Sequence, residues 1–326
     1  MNKTIKFSVK KIDSLKRVDV FLSEKIKEYT RSFLTKQIKK GHLSINNKIV
    51  CSPSSKIKTN DQINFQIDLK KDNKLTPKNI KLNIVFEDED ILVVDKPKGM
   101  VVHPGAGNFE NTLANALVHK YKKNLSNLNG HLRPGIVHRI DKNTTGLLVV
   151  AKNNIAHSKL GKQFSNHSIG RKYICLVWGV IRPLNGRIET LISRSKKNRQ
   201  LMSVSEVRGK KAITNYKTLK VFVIKNIPKI SLLECELETG RTHQIRVHIN
   251  HKGSSLLGDK QYGKKNLKFK NINKNFLEAL ENLDGQALHA QTLEFVHPTR
   301  NCLVKFKSKI PGNLMKILNI LEDLTS

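Results

Sequence analysis

Read along the chain, the apolar positions change period several times. From Lys16 to Ile67 they describe a small α/β unit, two short helical stretches and then strands broken by turn residues. In TRSFLTKQIKKGHLSINNKIV, Phe33, Leu34 and Ile38 share one helical face, and Arg31, Lys36, Lys39 and Lys40 lie elsewhere on it. Gly41 suits the end of that helix, and Leu43 and Ile45 alternate as a strand does before an Asn46-Asn47 turn. Residues 68–80, DLKKDNKLTPKNI, are polar and contain Pro77, which predicts a linker.

A second, larger domain is expected from 81 to 326. LNIVFEDEDILVVDKPKG reads as a hairpin, with Ile84 and Phe86 before an acidic turn and Ile91 to Val94 after it. Helices are predicted at 111–121, capped by Asn111 with Leu113, Leu117 and Tyr121 on one side, and at 153–165, where Ala156, Leu160 and Phe164 align. In RPGIVHRIDKNTTGLLVVAK, Ile136 to Ile140 reads as a strand, KNTTG as a polar turn and Leu147 to Val150 as a second strand. Further strands are expected at KYICLVWG, ISLLECELE and ALHAQTLEFVHP, the last paired with CLVKFK, and a terminal helix behind Asn313. Strands and helices do not alternate as in a doubly wound fold, so the larger domain is expected to be α+β with a mixed, largely antiparallel sheet.

Charge narrows the partners. Lys and Arg number 60 against 26 Asp and Glu, a formal net charge of +34, which points to a polyanion: RNA, DNA or an anionic membrane. No apolar stretch is long enough to span a bilayer and the start MNKTIKFSVKK has no signal-peptide core, so a cytoplasmic protein without membrane association is expected. Cys51, Cys175, Cys235 and Cys302 form no CxxC, which argues against a zinc site or a disulfide framework. GAGN at 105–108 lacks the third glycine of a dinucleotide fingerprint, and His248 and His251 form HxxH without the metalloprotease glutamate.

Asp141 sits where a predicted strand opens into a loop, and taken alone it has two readings: a turn cap bonding the amides of Asn143 or Thr144, or a carboxylate offered to a ligand. The wider string extends the second reading. HRID followed by TTGLLVVAK resembles the signature HRLDxxTSGLLLxAK of the RluA family of pseudouridine synthases, with Ile140 and Thr145 as conservative departures. EDEDILVVDKPKGMVVHPGAGN, RKYICLVWG and LETGRTHQIRVHINHKGSSLLGDKQYG agree with further family blocks in the same order, and 16–67 resembles an S4 domain, a small RNA-binding module.

The resemblance implies a pseudouridine synthase fold joined to an S4-like domain, and an enzyme that isomerises uridines, by its finer likeness in the large-subunit (23S) ribosomal RNA. Asp141 is then the catalytic carboxylate, Tyr173 the aromatic that stacks on uracil, and Arg246 the ion partner that opposes protonation of a desolvated carboxylate. Ile245 would pack near the base, Arg139 would fill the gap left by the extruded nucleotide, and Arg241 would hold phosphate or support hydrogen bonds. Lys172 and Arg171 are expected to serve the RNA backbone, as are Arg17, Arg31, Lys36, Lys39 and Lys40 of the S4-like unit. Isomerisation needs no redox or group donor, so neither cofactor nor metal is expected, and the partner would be 23S ribosomal RNA or a large-subunit precursor particle, met by a monomer. The sequence leaves two alternatives: a tRNA-directed synthase of the same family, and a non-catalytic assembly factor, against which stands a carboxylate that would repel phosphate.

Overall fold

The structure is a computed structural model and describes residues 2–26, 29, 31–68, 75–105, 108–122, 124–225, 227–263 and 273–325 of 326. The chain divides into two units, Met1–Lys74 and Leu75–Ser326. The smaller begins before Lys16: strand β1 (Asn2–Ser8) pairs antiparallel with β4 (Gln62–Asp68), and the sheet order is β1-β4-β2-β3, with β2 at Leu43–Ile45 and β3 at Lys48–Ile49. Asn46 and Asn47 close the β2–β3 hairpin at φ 49° and 66°, left-handed values that asparagine tolerates better than other side chains. Helices α1 (Val18–Lys25) and α2 (Arg31–Lys39) bury Phe21, Leu22, Leu34 and Ile38 against Ile63 and Phe65, each contributing roughly 1.5–3 kcal/mol.

In the larger unit, β5 (Asn83–Glu87) and β6 (Ile91–Lys96) form the expected hairpin, followed by α3 (Leu113–Tyr121), β7 (Thr145–Ala151), α4 (Asn154–Ser165) and β8 (Gly170–Trp178). Then come β9 (Asn185–Arg194), β10 (Met202–Ser205), β11 (Lys210–Phe222), β12 (Ile230–Leu237), α5 (Gln244–His251) and β13 (Ser255–Leu256). Helix α6 (Lys274–Glu281), β14 (Leu288–Val296), β15 (Leu303–Lys307) and α7 (Gly312–Asp323) complete it. Among the described residues the strands make one eleven-stranded sheet, order β10-β9-β11-β12-β8-β14-β7-β6-β5, with β13 on β8 and β15 on β14. Its pairs are antiparallel except β14 with β7, so the mixed, largely antiparallel α+β architecture is present.

The apolar strings of β6 and β7 are continuous because both faces are covered. Leu92, Val94, Leu148 and Val150 pack with α3 on one side; Ile91, Val93, Leu147 and Val149 pack with Ala156 and Leu160 of α4 on the other. Several local expectations are corrected. The linker does not extend over 75–80: Leu75 is buried in the larger unit's core and Asn115 bonds the carbonyl of Thr76, while 69–74 lie outside the described residues. Helix α3 is capped by Thr112 and Asn115 in a reciprocal capping box, not by Asn111, and α7 starts behind Pro311 rather than behind Asn313. Ile136 to Ile140 is no strand; only Ile136 makes a bridge, to Val150, because the His138 ring itself takes the Val149 amide at 3.0 Å.

Candidate active site

The loop after Ile136 carries Asp141 into a cleft lined also by β8, the 237–243 loop and the start of α5. Its backbone accepts the Thr144 amide at 3.2 Å, so the turn is closed by the main chain and the Asp141 carboxylate is free to face the cleft; the turn-cap reading is overturned. Lys96 fixes the loop from below. Fully buried, its ammonium donates to the carbonyls of Pro97, Met100 and Lys142 at 2.8, 2.9 and 3.0 Å, and burial pushes its pKa down to about 7 against the opposing charges of Asp141 and Asp95.

Opposite Asp141 stands Arg246, in the first turns of α5, a helix positioned by Gln244. The Gln244 amide accepts from Thr239 Oγ1 and the Arg241 amide and donates to Ile213 O and Thr214 Oγ1, which leaves none of its hydrogen-bonding capacity idle. Arg246 donates from Nη1 to Asp141 Oδ2 at 3.2 Å, from Nε and Nη2 to the two oxygens of Asp259 at 2.7 and 2.8 Å, and from Nη2 to Gln261 Oε1 at 2.7 Å. Tyr262 covers its guanidinium, 4.8 Å from the ring centroid. Burial pushes the Asp259 carboxyl up, but the Arg246 hydrogen bonds and charge, with the amides of Tyr262 and Gln261, outweigh it and hold the group below its ordinary value. His243, left-handed at φ 56°, reaches from the Tyr262 hydroxyl (2.9 Å) toward Asp141 Oδ1 (3.9 Å). Burial, more than offsetting the Asp141 charge, lowers the His243 pKa and so favours the neutral ring.

The expected residues divide. Asp141, Tyr173, Arg246, Ile245, Arg139 and Arg241 all line the cleft. Tyr173 is buried, and its hydroxyl has no hydrogen-bond partner among the described residues. Arg139 is exposed and makes one long contact, 3.3 Å to His103 Nε2, whereas Arg241 bonds the Lys211 carbonyl at 2.8 Å and makes no ion pair with Asp141. Lys172 is not in the cleft: alternation along β8 places it on the opposite face, held by Glu234 at 3.2 Å. Arg171, expected at the backbone, is instead buried in the cleft wall. In the smaller unit, Arg17 and Arg31 both engage the buried Asp19 (3.1 and 2.8 Å) and so anchor α1 and α2, while Lys36, Lys39 and Lys40 are exposed. Asp259, Gln261, Tyr262 and His243 escaped sequence reasoning; DKQYG shows an acid, but nothing in its spacing says that it faces Arg246.

As metal ligands the residues offer little. His248 is fully buried between the hydroxyls of Thr190 and Thr214, which removes it from an HxxH site. Asp88, Asp90 and His297 lie near one another, but His297 bonds Asp88 at 2.8 Å and Asn153 bonds Asp90 at 2.7 Å. At 105–108, Gly105 and Asn108 exchange both backbone bonds, a tight loop, with 106–107 outside the described residues.

Many known proteins are similar in sequence to this chain. The RNA pseudouridylate synthase family model matches residues 90–251, and the S4 domain model matches 16–63. A ribosomal large subunit pseudouridine synthase D of Zymomonas mobilis is 44% identical over 308 residues, 94% of this chain and 93% of that protein. Its namesake in Haemophilus influenzae is 38% identical, over 94% of this chain and 91% of its own. Among solved structures, human RNA pseudouridylate synthase domain containing 4 superposes with a TM-score of 0.57 at 25% identity, covering 74% of this chain and 93% of that one. Described residues include no helix long and apolar enough to cross a membrane. With the family match, the relatives' full-length identity and the fold in agreement, this chain belongs to the RNA pseudouridylate synthases and carries an S4 domain at its amino-terminal side.

Proposed function

We propose that the protein converts uridines of large-subunit ribosomal RNA to pseudouridine, with Asp141 acting on the extruded nucleotide. The observation that carries this reading is the pair Asp141–Arg246, 3.2 Å apart in a cleft that also holds Tyr173 and two further arginines at its mouth. Arg246 orients the carboxylate and keeps a cation beside it; Tyr173 offers a ring and an unbonded hydroxyl to the base; Ile245 packs against the base edge; Arg139, nearly unattached, enters the gap left in the RNA. The names of the Zymomonas and Haemophilus relatives support ribosomal RNA over tRNA. The S4 unit would hold the backbone through Lys36, Lys39 and Lys40, and the protein would act as a cytoplasmic monomer on 23S RNA or its precursor particle.

Asp141→Asn is expected to abolish pseudouridine formation in a purified transcript and leave RNA affinity within about threefold; product from that variant would sink the assignment. Mapping pseudouridine in cells lacking the protein should show sites lost from large-subunit RNA, and loss confined to tRNA would overturn the ribosomal reading.

A further inference from the structure

A buried cation normally lies against a carboxylate, because the desolvation of an isolated charge is costly. Arg171 is only 7% exposed, yet no acid lies within salt-bridge distance of it among the described residues. Its Nη2 makes two long bonds, 3.3 Å each, to the carbonyls of Leu237 and Glu238, and its guanidinium lies over the Phe164 ring at 5.5 Å. Nε is buried with no hydrogen-bond partner among the described residues. The Glu238 carboxylate, whose own backbone Arg171 reaches, is occupied by Arg187 and Asn215. Gly240 keeps the remaining nitrogen uncovered: a Cβ there would lie 2.8 Å from Arg171 Nη1. Arg171 precedes Tyr173 by two residues on β8, so the two side chains share the sheet face that lines the cleft.

We propose that Arg171 holds the uracil while it is detached from the sugar, donating hydrogen bonds to a carbonyl oxygen of the base and stabilising the negative charge that gathers there. The assignment rests on the synthase reading above. When the N1–C1′ bond breaks, both of its electrons leave with the base, and the charge spreads over N1 and the carbonyl oxygens. The turned base then bonds C1′ through C5, C5 gives up its proton, and N1 gains one, so the product is an isomer with no net change in charge or oxidation state. Arg171 stays protonated throughout and transfers nothing. Phosphate is the other anionic oxygen in the substrate, but the half-exposed Arg241 lies nearer the cleft mouth to meet it, and the depth of Arg171 favours the base. A partner that becomes anionic only in mid-reaction is held more tightly then than in the ground state, so the effect falls on rate and not on affinity.

The test compares full-length wild type with Arg171→Gln, Arg171→Lys and Gly240→Ala on a transcript that the wild type modifies, reading the single-turnover rate at saturating enzyme and the RNA Kd separately. Arg171→Gln is expected to slow the saturated rate about 100-fold, the scale of one removed donor to a developing charge, with Kd within twofold. Arg171→Lys should recover part of the loss, and Gly240→Ala, which keeps the cation but covers Nη1, should slow the rate with Kd unchanged. If Arg171→Gln fails to fold by circular dichroism, Gly240→Ala decides. A loss confined to Kd would make Arg171 a backbone contact and overturn the proposal, as would a saturated rate within threefold of wild type for Arg171→Gln and Gly240→Ala. A wild type that modifies no transcript overturns the synthase reading itself, a result distinct from either.

Discussion

Asp259→Asn tests whether the row Asp259–Arg246–Asp141 is held chiefly from its inner end. The Asp259 side chain is fully buried and receives two charge-assisted bonds from Arg246 at 2.7 and 2.8 Å and two backbone amides at 3.0 and 3.1 Å. Removing one partner of a buried pair costs about 3–5 kcal/mol, mostly because the other charge is left uncompensated. Arg246 would keep Asp141 at 3.2 Å and Gln261 at 2.7 Å, which puts the loss near the lower end, about 3 kcal/mol. For a unit the size of Leu75–Ser326 that lowers Tm by roughly 6–12 °C. Asp141→Asn removes a single 3.2 Å bond from a side chain 16% exposed, and should cost no more than about 1 kcal/mol. Trp178, the sole tryptophan, lies in β8 and reports unfolding of this unit by fluorescence in urea. The expected order is Asp259→Asn well below Asp141→Asn in stability, with Asp141→Asn the variant that loses all activity. A stability loss for Asp259→Asn under about 1 kcal/mol would refute the idea that Asp259 anchors Arg246.

Three further outcomes follow from other parts of the molecule. Gly146 sits at φ +110° where β7 meets β14, and a Cβ there would run into the Ala290 carbonyl, so Gly146→Ala should cost at least about 3 kcal/mol in the same urea titration. Replacing Lys36, Lys39 and Lys40 with Gln should weaken RNA binding and reduce the salt slope of log Kd by up to about 3, with the saturated rate unchanged, as checked by filter binding across salt. Burial, aided by His251, depresses the His248 pKa from 6.5 to about 4, so between those values the unfolded chain binds the extra proton and stability falls with falling pH. From pH 7 to 5 the wild type should lose about 2 kcal/mol more than His248→Gln in parallel urea titrations.

Much of the fold was legible where one periodicity sufficed. Leu113, Leu117 and Tyr121 lie on the buried side of α3, and the hairpin from Ile84 to Val94 forms β5 and β6. Strand β11 was not legible: Lys210, Lys211, Lys217 and Lys220 break its alternation, and its thirteen residues are held by ladders to β9 and β12 that come from elsewhere in the chain. Ile136 to Ile140 misled for the opposite reason. Its β-branched composition suits a strand, but His138 takes the ladder position with its ring, and the chain is freed to carry Arg139 and Asp141 out into the cleft.

For the site, residue types were legible and their company was not. Asp141 and Arg246 were paired through the family signature, across 105 positions, and no spacing rule would have joined them. Arg171 and Arg246 look alike in sequence, both within family blocks beside apolar residues. Only the fold separates them: Arg246 has Asp259, Asp141 and Gln261 as acceptors, whereas Arg171 has two distant carbonyls and a nitrogen with none. A cation whose acceptors are complete in the free protein serves to fix its neighbours. One buried with its capacity unfilled costs stability until a ligand supplies the acceptor, which is why the difference in partners, and not the shared residue type, assigns Arg246 to the carboxylate and Arg171 to the base.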